Sequence, residues 1–125
     1  MNILILGGAG FLGNNLVRTC IQQGARSITV VDALDSRLHS DFKHLDGVKS
    51  KINFIKGDIR DARLMNRVVM KRDVIFNCAG QTSHPLSLED PLFDADINCL
   101  GTITVLEAVR KHNKKARVVY TSSST

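Results

Sequence analysis

Tryptophan is absent from the 125 residues, tyrosine occurs once (Tyr120), and aromatic side chains make up only 5% of the chain. The few aromatics do not alternate with basic residues, so base-stacking recognition of nucleic acid has no support. The net charge of +5 then reads as lysines and arginines on solvated faces. Their densest group, Arg110, Lys111, His112, Lys114, Lys115 and Arg117, falls where a helix should end and cations complement its dipole. The three cysteines, Cys20, Cys78 and Cys99, are odd in number and lack metal-ligand spacing. They predict neither a disulfide framework nor a metal site, but reduced core thiols of a cytoplasmic protein. His84 has no second ligand at a useful spacing and reads as a loop histidine. There is no 18-residue apolar run and no basic region ahead of the first strand, so neither a membrane span nor secretion is expected. A G-x-S-x-G nucleophile turn is missing too, and no lysine with Ser or Thr follows the glycines as in a P-loop.

What remains is an ordinary globular composition, 43% apolar and 23% charged, sized for one domain over residues 1–125. Its most informative stretch is Ile3-Leu4-Ile5-Leu6-Gly7-Gly8-Ala9-Gly10-Phe11-Leu12-Gly13. An apolar strand runs into a glycine turn and then directly into an amphipathic helix. Backbone N–H groups at such a helix start point outward, and the helix dipole adds positive charge, which suits a pyrophosphate. The spacing is G-x-x-G-x-x-G through Gly7, Gly10 and Gly13.

The rest of the chain alternates. Strands are expected at 2–6, 27–31, 52–55, 73–77 and 117–120. Helices are expected at 11–23, after Asp61, and from the Asp90-Pro91 cap to about Asn113. Residues 33–50 are polar and irregular, with a short helix around Arg37 to His44. Alternation with short connections predicts an α/β fold, a doubly wound parallel sheet of order 3-2-1-4-5. Ligands of such sheets lie at the carboxyl ends of the strands, where the order reverses between strands one and four.

Each suggestive polar stretch follows a strand. Asp32 closes strand two, 19 residues after Gly13, where a carboxylate can accept from both ribose hydroxyls of an adenosine or serve as a turn residue. The glycine loop favours the ribose role and, with it, NAD over its 2′-phosphorylated form. Arg37 sits close enough to blur that preference, but reads first as a solvated loop arginine. Asp58 and Ile59 can border an adenine or start a helix. Cys78, Ala79 and Gly80 are small enough for close approach of a ligand. Asn98, in the middle of a helix, needs polar partners and suits a role in organising the strand-end loops. Apolar residues cover much of that helix's circumference, which suggests a second subunit packed along 91–113. Thr121 to Thr125 bring hydroxyls to the same edge, one of which could hydrogen-bond a reacting carbonyl or alcohol.

Taken in order, Gly7-Gly8-Ala9-Gly10-Phe11-Leu12-Gly13, Asp32, Gly57-Asp58-Ile59, Ala79-Gly80, Asn98 with Gly101-Thr102, and Tyr120-Thr121-Ser122-Ser123-Ser124 resemble the extended short-chain dehydrogenase/reductase family. Within it, the likeness is to the NAD-dependent sugar-nucleotide epimerases and dehydratases, and it covers the whole chain. It implies a Rossmann-type fold, NAD as cofactor, a nucleotide-sugar substrate and hydride transfer at a sugar hydroxyl carbon. By that resemblance Gly7, Gly10, Phe11, Leu12 and Gly13 wrap the pyrophosphate, and Asp32 with Ala33 holds the adenosine ribose. Asp58 and Ile59 border adenine, Cys78, Ala79, Gly80 and Thr82 line the cofactor beyond strand four, and Asn98 matches the family asparagine. The catalytic hydroxyl falls on Ser123, or on Ser122 or Ser124 after a one-residue slip.

The family's Tyr-x-x-x-Lys is not here, since Tyr120 lies in strand five with Ser124 four residues on. The expectation is therefore the cofactor-binding part of a longer enzyme, truncated after strand five, without its substrate domain and inactive alone. Strand five should then be an exposed edge or pair with another molecule. The competing reading is a non-catalytic NAD(P)-binding redox-sensing or regulatory protein, and a Tyr-x-x-x-Lys beyond Thr125 would separate the two.

Overall fold

The computed structural model describes residues 1–122. Five parallel strands, β1 (Asn2–Leu6), β2 (Ser27–Asp32), β3 (Asn53–Lys56), β4 (Val74–Asn77) and β5 (Arg117–Tyr120), form one sheet in the order β3-β2-β1-β4-β5. The expected order is the observed one. β1 is central, with Ile5 paired to Val30 on one side and to Phe76 on the other. It is apolar on both faces because both are covered. Leu4 and Leu6 enter a core with Leu64, Met65, Val68, Val105 and Val109, from α2 (Ala62–Val68) and α5 (Thr102–His112). Ile3 and Ile5 point the other way, toward Val17 and Cys20 of α1 (Phe11–Gln22) and toward Leu45 and Val48. The alternation of side chains along a strand thus divides one apolar run between two cores.

Helix ends follow their residue chemistry. Asp61 caps α2 by accepting from the Leu64 N–H, and Asp90 caps α4 (Pro91–Ala95) by accepting from that of Phe93. Gly24, at φ +72°, turns the chain out of α1 as expected. Three features differ from the sequence reading. The helix opening at Pro91 is not uniform: α4 passes into a π-helical segment, Asp96–Gly101, before α5. A short helix, α3 (His84–Glu89), precedes it, capped by Ser83, so His84 begins a helix and not a loop. In place of one helix near 37–44 there are three 3₁₀ turns, Ser36–Leu38, Phe42–Leu45 and Lys49–Lys51. Asp35 and Asp41 cap the first two through N–H groups two residues ahead, a local pairing that competes with α-helix.

Cys20 is buried and Cys78 half-buried, and burial pushes both thiols up, keeping them protonated and unreactive. Cys99 is a correction to the reading of three core thiols: it is exposed, on the outer side of the π-helical segment. Among the described residues β5 is an edge strand, and Val119 and Tyr120 are substantially exposed there.

Candidate functional site

The strand order reverses between β1 and β4, and a groove opens there at the carboxyl ends of the strands. Gly7 sits at its base with φ +77°, and a Cβ there would lie 2.6 Å from the Ala79 backbone nitrogen. Only glycine lets the β1 exit pass so close to the β4 exit. Gly13 makes the second close approach: its Cβ would lie 2.1 Å from the Gly7 carbonyl oxygen, so α1 is seated directly on the turn. Gly10 is the N-cap of α1 and carries no side chain to satisfy the first turn. Among the described residues, the N–H groups of Phe11, Leu12 and Gly13 have no backbone acceptor outside the helix and no capping side chain. This is an anion-binding surface made of backbone.

The groove has two connected parts that share Gly7, Gly10, Leu38, Cys78, Ala79 and Gly80. One part, of about 520 Å³, lies between Asp32, Ala33 and Ser40 on one side and Asp58, Ile59 and Ile97 on the other. The second, of about 1330 Å³, runs past Phe11, Leu12 and Gly13 to Gln81, Thr82, Asn98, Tyr120, Thr121 and Ser122. Every residue singled out as cofactor-lining in the sequence therefore borders one continuous groove. Ser123 lies outside the described residues. Leu38, Ser40 and Ile97 also line it and were not foreseen. Leu38 and Ser40 belong to the irregular segment, where no periodicity marks a residue as inward-facing. Ile97 carried a usable signal, being one residue from Asn98 on a helix reaching the same edge.

Asp32 is 6% exposed, and its carboxylate is spoken for by backbone: Oδ2 accepts from the Ala9 N–H at 2.8 Å and Oδ1 from the Leu34 N–H at 2.8 Å. It fixes the glycine loop and the β2 exit to each other. Each oxygen retains acceptor capacity toward the groove. The Ala9 carbonyl is held as well, by His44 Nδ1 at 2.7 Å, which fixes that nitrogen as the protonated one. Arg37 is exposed, as expected of a loop arginine, but it is not without partners. It pairs with Asp35 at 2.6 Å and lies 3.8 Å over the Phe93 ring of α4, so the loop after β2 reaches across to the helices after β4.

Asp58 does not cap α2, since Asp61 does. Both of its oxygens are held by Arg60, which also reaches Asp96 at 2.5 Å. The guanidinium holds the Asp58 carboxyl below the ordinary carboxylate range. Asn98 is half-buried and doubly paired to one peptide: its Oδ1 accepts from the Gln81 N–H and its Nδ2 donates to the Gln81 carbonyl, each at 2.8 Å. The Gln81 side chain, itself buried, donates to Asp94 and to the Ser83 carbonyl and accepts from the Ser83 N–H. The loop after β4 is thus folded around Gln81 and pinned to the helix by Asn98 and Asp94. Asn98→Ala leaves both groups of the Gln81 peptide without their partner and should destabilise the protein by about 1–3 kcal/mol in denaturant unfolding.

Comparison with known proteins agrees with this geometry. Residues 3–125 match the NAD dependent epimerase/dehydratase family. The chain belongs to that family. It is 36% identical over 126 residues to the CDP-paratose 2-epimerase of Salmonella typhi, covering 99% of this chain and 37% of that protein. It is 38% identical over 122 residues to a dTDP-glucose 4,6-dehydratase of Mycolicibacterium smegmatis, covering 97% and 36%. Among solved structures, a dTDP-glucose 4,6-dehydratase variant from Streptomyces venezuelae with NAD and DAU bound superposes with a TM-score of 0.90 at 29% identity, covering 98% of this chain and 39% of that one. A UDP-glucose 4-epimerase from Stenotrophomonas maltophila with bound NAD and formylated UDP-arabinopyranose gives 0.87 at 28%, covering 99% and 37%. The chain thus spans little more than a third of the length of these relatives. Among the described residues no three His, Cys, Asp or Glu side chains are grouped to hold a metal ion, and no helix is long and apolar enough to cross a membrane.

Proposed function

We propose that this chain is the NAD-binding part of a sugar-nucleotide epimerase or dehydratase of its family. The observation that carries the reading is the open N-terminus of α1 above Gly7, Gly10 and Gly13, flanked within one groove by the Asp32 and Asp58 carboxylates. When bound, NAD would supply a reversible hydride acceptor for a carbon bearing a sugar hydroxyl. The N–H groups at Phe11 to Gly13 would hold its pyrophosphate, and the remaining lone pairs of Asp32, beside Ala33, would accept from the adenosine ribose. A 2′-phosphate would bring further negative charge against this buried carboxylate, and the charge of Arg37 is already shared with Asp35. Asp58 and Ile59 would border adenine, while Cys78, Ala79, Gly80 and Thr82 would line the path beyond β4. Asn98 would keep that path in shape through the Gln81 peptide. Ser123 is the proposed catalytic hydroxyl, hydrogen-bonding the reacting sugar oxygen. Titration calorimetry with NAD and NADP tests the reading: saturable binding that favours NAD is expected, and no heat with either would overturn it.

The same family membership supports a nucleotide-sugar substrate for the whole protein, in the cytoplasm, and a homodimer. The dimer reading rests on Leu92, Leu100, Ile103 and Leu106, which are 82%, 56%, 50% and 47% exposed along residues 91–112. A second copy laid along this face would bury the same residues on both subunits. Ile103→Asp should shift the light-scattering mass from dimer to monomer without loss of secondary structure. A wild-type mass equal to that of one chain would contradict the dimer.

A further inference from the structure

The Asp58 carboxylate offers about four acceptor positions, and Arg60 fills three of them. The Arg60 backbone N–H reaches Oδ1 at 2.8 Å, Nε reaches Oδ1 at 3.0 Å, and Nη2 reaches Oδ2 at 2.8 Å. One position is left, on Oδ2, and Asp58 itself lines the part of the groove shared with Ile59, Ile97 and Leu38. The guanidinium is in turn held from behind: Nη1 donates to Asp96 Oδ2 at 2.5 Å, and the Phe93 ring lies 5.7 Å from its central carbon. Asp96 is the first residue of the π-helical segment, so the clamp joins the β3 exit to the helix that carries Asn98.

We propose that Arg60 is a positioning residue that makes this end of the groove selective for a purine bearing a 6-amino group over one bearing a 6-oxo group. The inference rests on the NAD-binding reading above. The chemistry is a matter of donors and acceptors. A carboxylate with one open lone pair can receive one N–H of an amino group. A 6-oxo purine presents an oxygen at that position, which a fixed carboxylate repels, and carries its proton on the neighbouring N1 instead. Without the arginine, nothing fixes the rotation of the Asp58 carboxylate, its open lone pair is no longer aimed, and the distinction would blur. The ion pair lowers the pKa of the carboxyl from its ordinary value, in keeping with a carboxylate held in its ionised, accepting form. Lysine cannot replace this fork, since its ammonium is a point donor without the paired geometry.

The test is titration calorimetry of the purified protein with NAD and with nicotinamide hypoxanthine dinucleotide, which differ in the 6-substituent of the purine and, with it, in the proton on N1. The wild type should favour NAD by about tenfold or more, the effect of one hydrogen bond to a charged group. Arg60→Gln and Arg60→Lys should bring the ratio of the two dissociation constants below about threefold, and Asp96→Asn should give an intermediate ratio. A merely structural arginine would weaken both ligands together and leave the ratio unchanged, which would overturn the proposal. If Arg60→Gln does not fold, the ratio in Arg60→Lys decides. A wild type that binds both dinucleotides equally also overturns it while leaving the NAD-binding reading intact. A wild type that binds neither removes that reading, and this inference with it.

Discussion

Replacing Gly13 by alanine should abolish measurable NAD binding and lower the thermal midpoint by about 5–15 °C, the range for an overpacked core contact of a few kcal/mol in a domain this size. The added methyl would lie 2.1 Å from the Gly7 carbonyl oxygen and 2.7 Å from Gly8 Cα, both backbone atoms that no rotamer change can move aside. Gly7 cannot give way, because its own Cα faces the Ala79 backbone. The strain must lift α1 from the turn. The N–H groups of Phe11 to Gly13 then leave the positions from which they can meet a phosphate. Losing two charge-assisted hydrogen bonds costs about 3–6 kcal/mol, or more than a hundredfold in affinity. Gly47→Ala is the control: Gly47 also has positive φ (+81°), but nothing lies within 4 Å of its Cβ position. It should cost about 1 kcal/mol and leave NAD binding unchanged. Calorimetry and a thermal melt on the two variants separate packing at the phosphate turn from the general expense of replacing a glycine.

The second large effect is expected at Asp32. Asp32→Ala removes the acceptor of two backbone donors, the N–H groups of Ala9 and Leu34, in a place where the parent side chain is almost fully buried. Each donor left unpaired costs about 1–3 kcal/mol, so denaturant unfolding should show a loss of about 2–6 kcal/mol. Asp32→Asn is the more telling variant. It preserves volume but turns one acceptor into an amide donor facing a backbone N–H, so it should destabilise nearly as much. Where these variants fold, NAD affinity should fall by about tenfold or more, because the ribose acceptors are altered and the glycine loop loses its tether. NADP should lose less, since repulsion of its 2′-phosphate is relieved at the same time. Equal losses for the two dinucleotides would show that Asp32 serves only the backbone.

The strands and the glycine corner were legible because their causes are local. A run buried on both faces, followed by glycines that must pass close to other backbone, needs no knowledge of distant residues. Asp61 and Asp90 announced their helices for the same reason: a carboxylate can reach an N–H three residues ahead. The sheet order followed from alternation and the handedness of crossovers. Tertiary pairing was what the sequence could not show. The π-helical segment at Asp96–Gly101 coincides with Asn98 meeting the Gln81 peptide, Arg60 meeting Asp96, and Gly101 packing so near Ile59 that a Cβ would lie 2.7 Å from its Cδ1. These partners lie far apart in the chain, and no helical periodicity encodes them. Leu38 and Ser40 came into the groove through turns capped by Asp35 and Asp41 and through Arg37 lying over Phe93, again long-range chemistry. Asp32 reads as a ribose acceptor from its place at the end of a strand, its spacing and the glycine loop before it. Its present work is structural, holding Ala9 and Leu34, and the two roles share one carboxylate without conflict because each oxygen has a lone pair to spare.

The central claim is that the α1 N-terminus and the flanking carboxylates form one NAD site. Titration calorimetry of NAD into the wild type and into Gly13→Ala tests it most directly. The account predicts saturable binding of one NAD per chain in the wild type and none in the variant. Absence of binding in the wild type, or binding of equal strength in the two proteins, would contradict it.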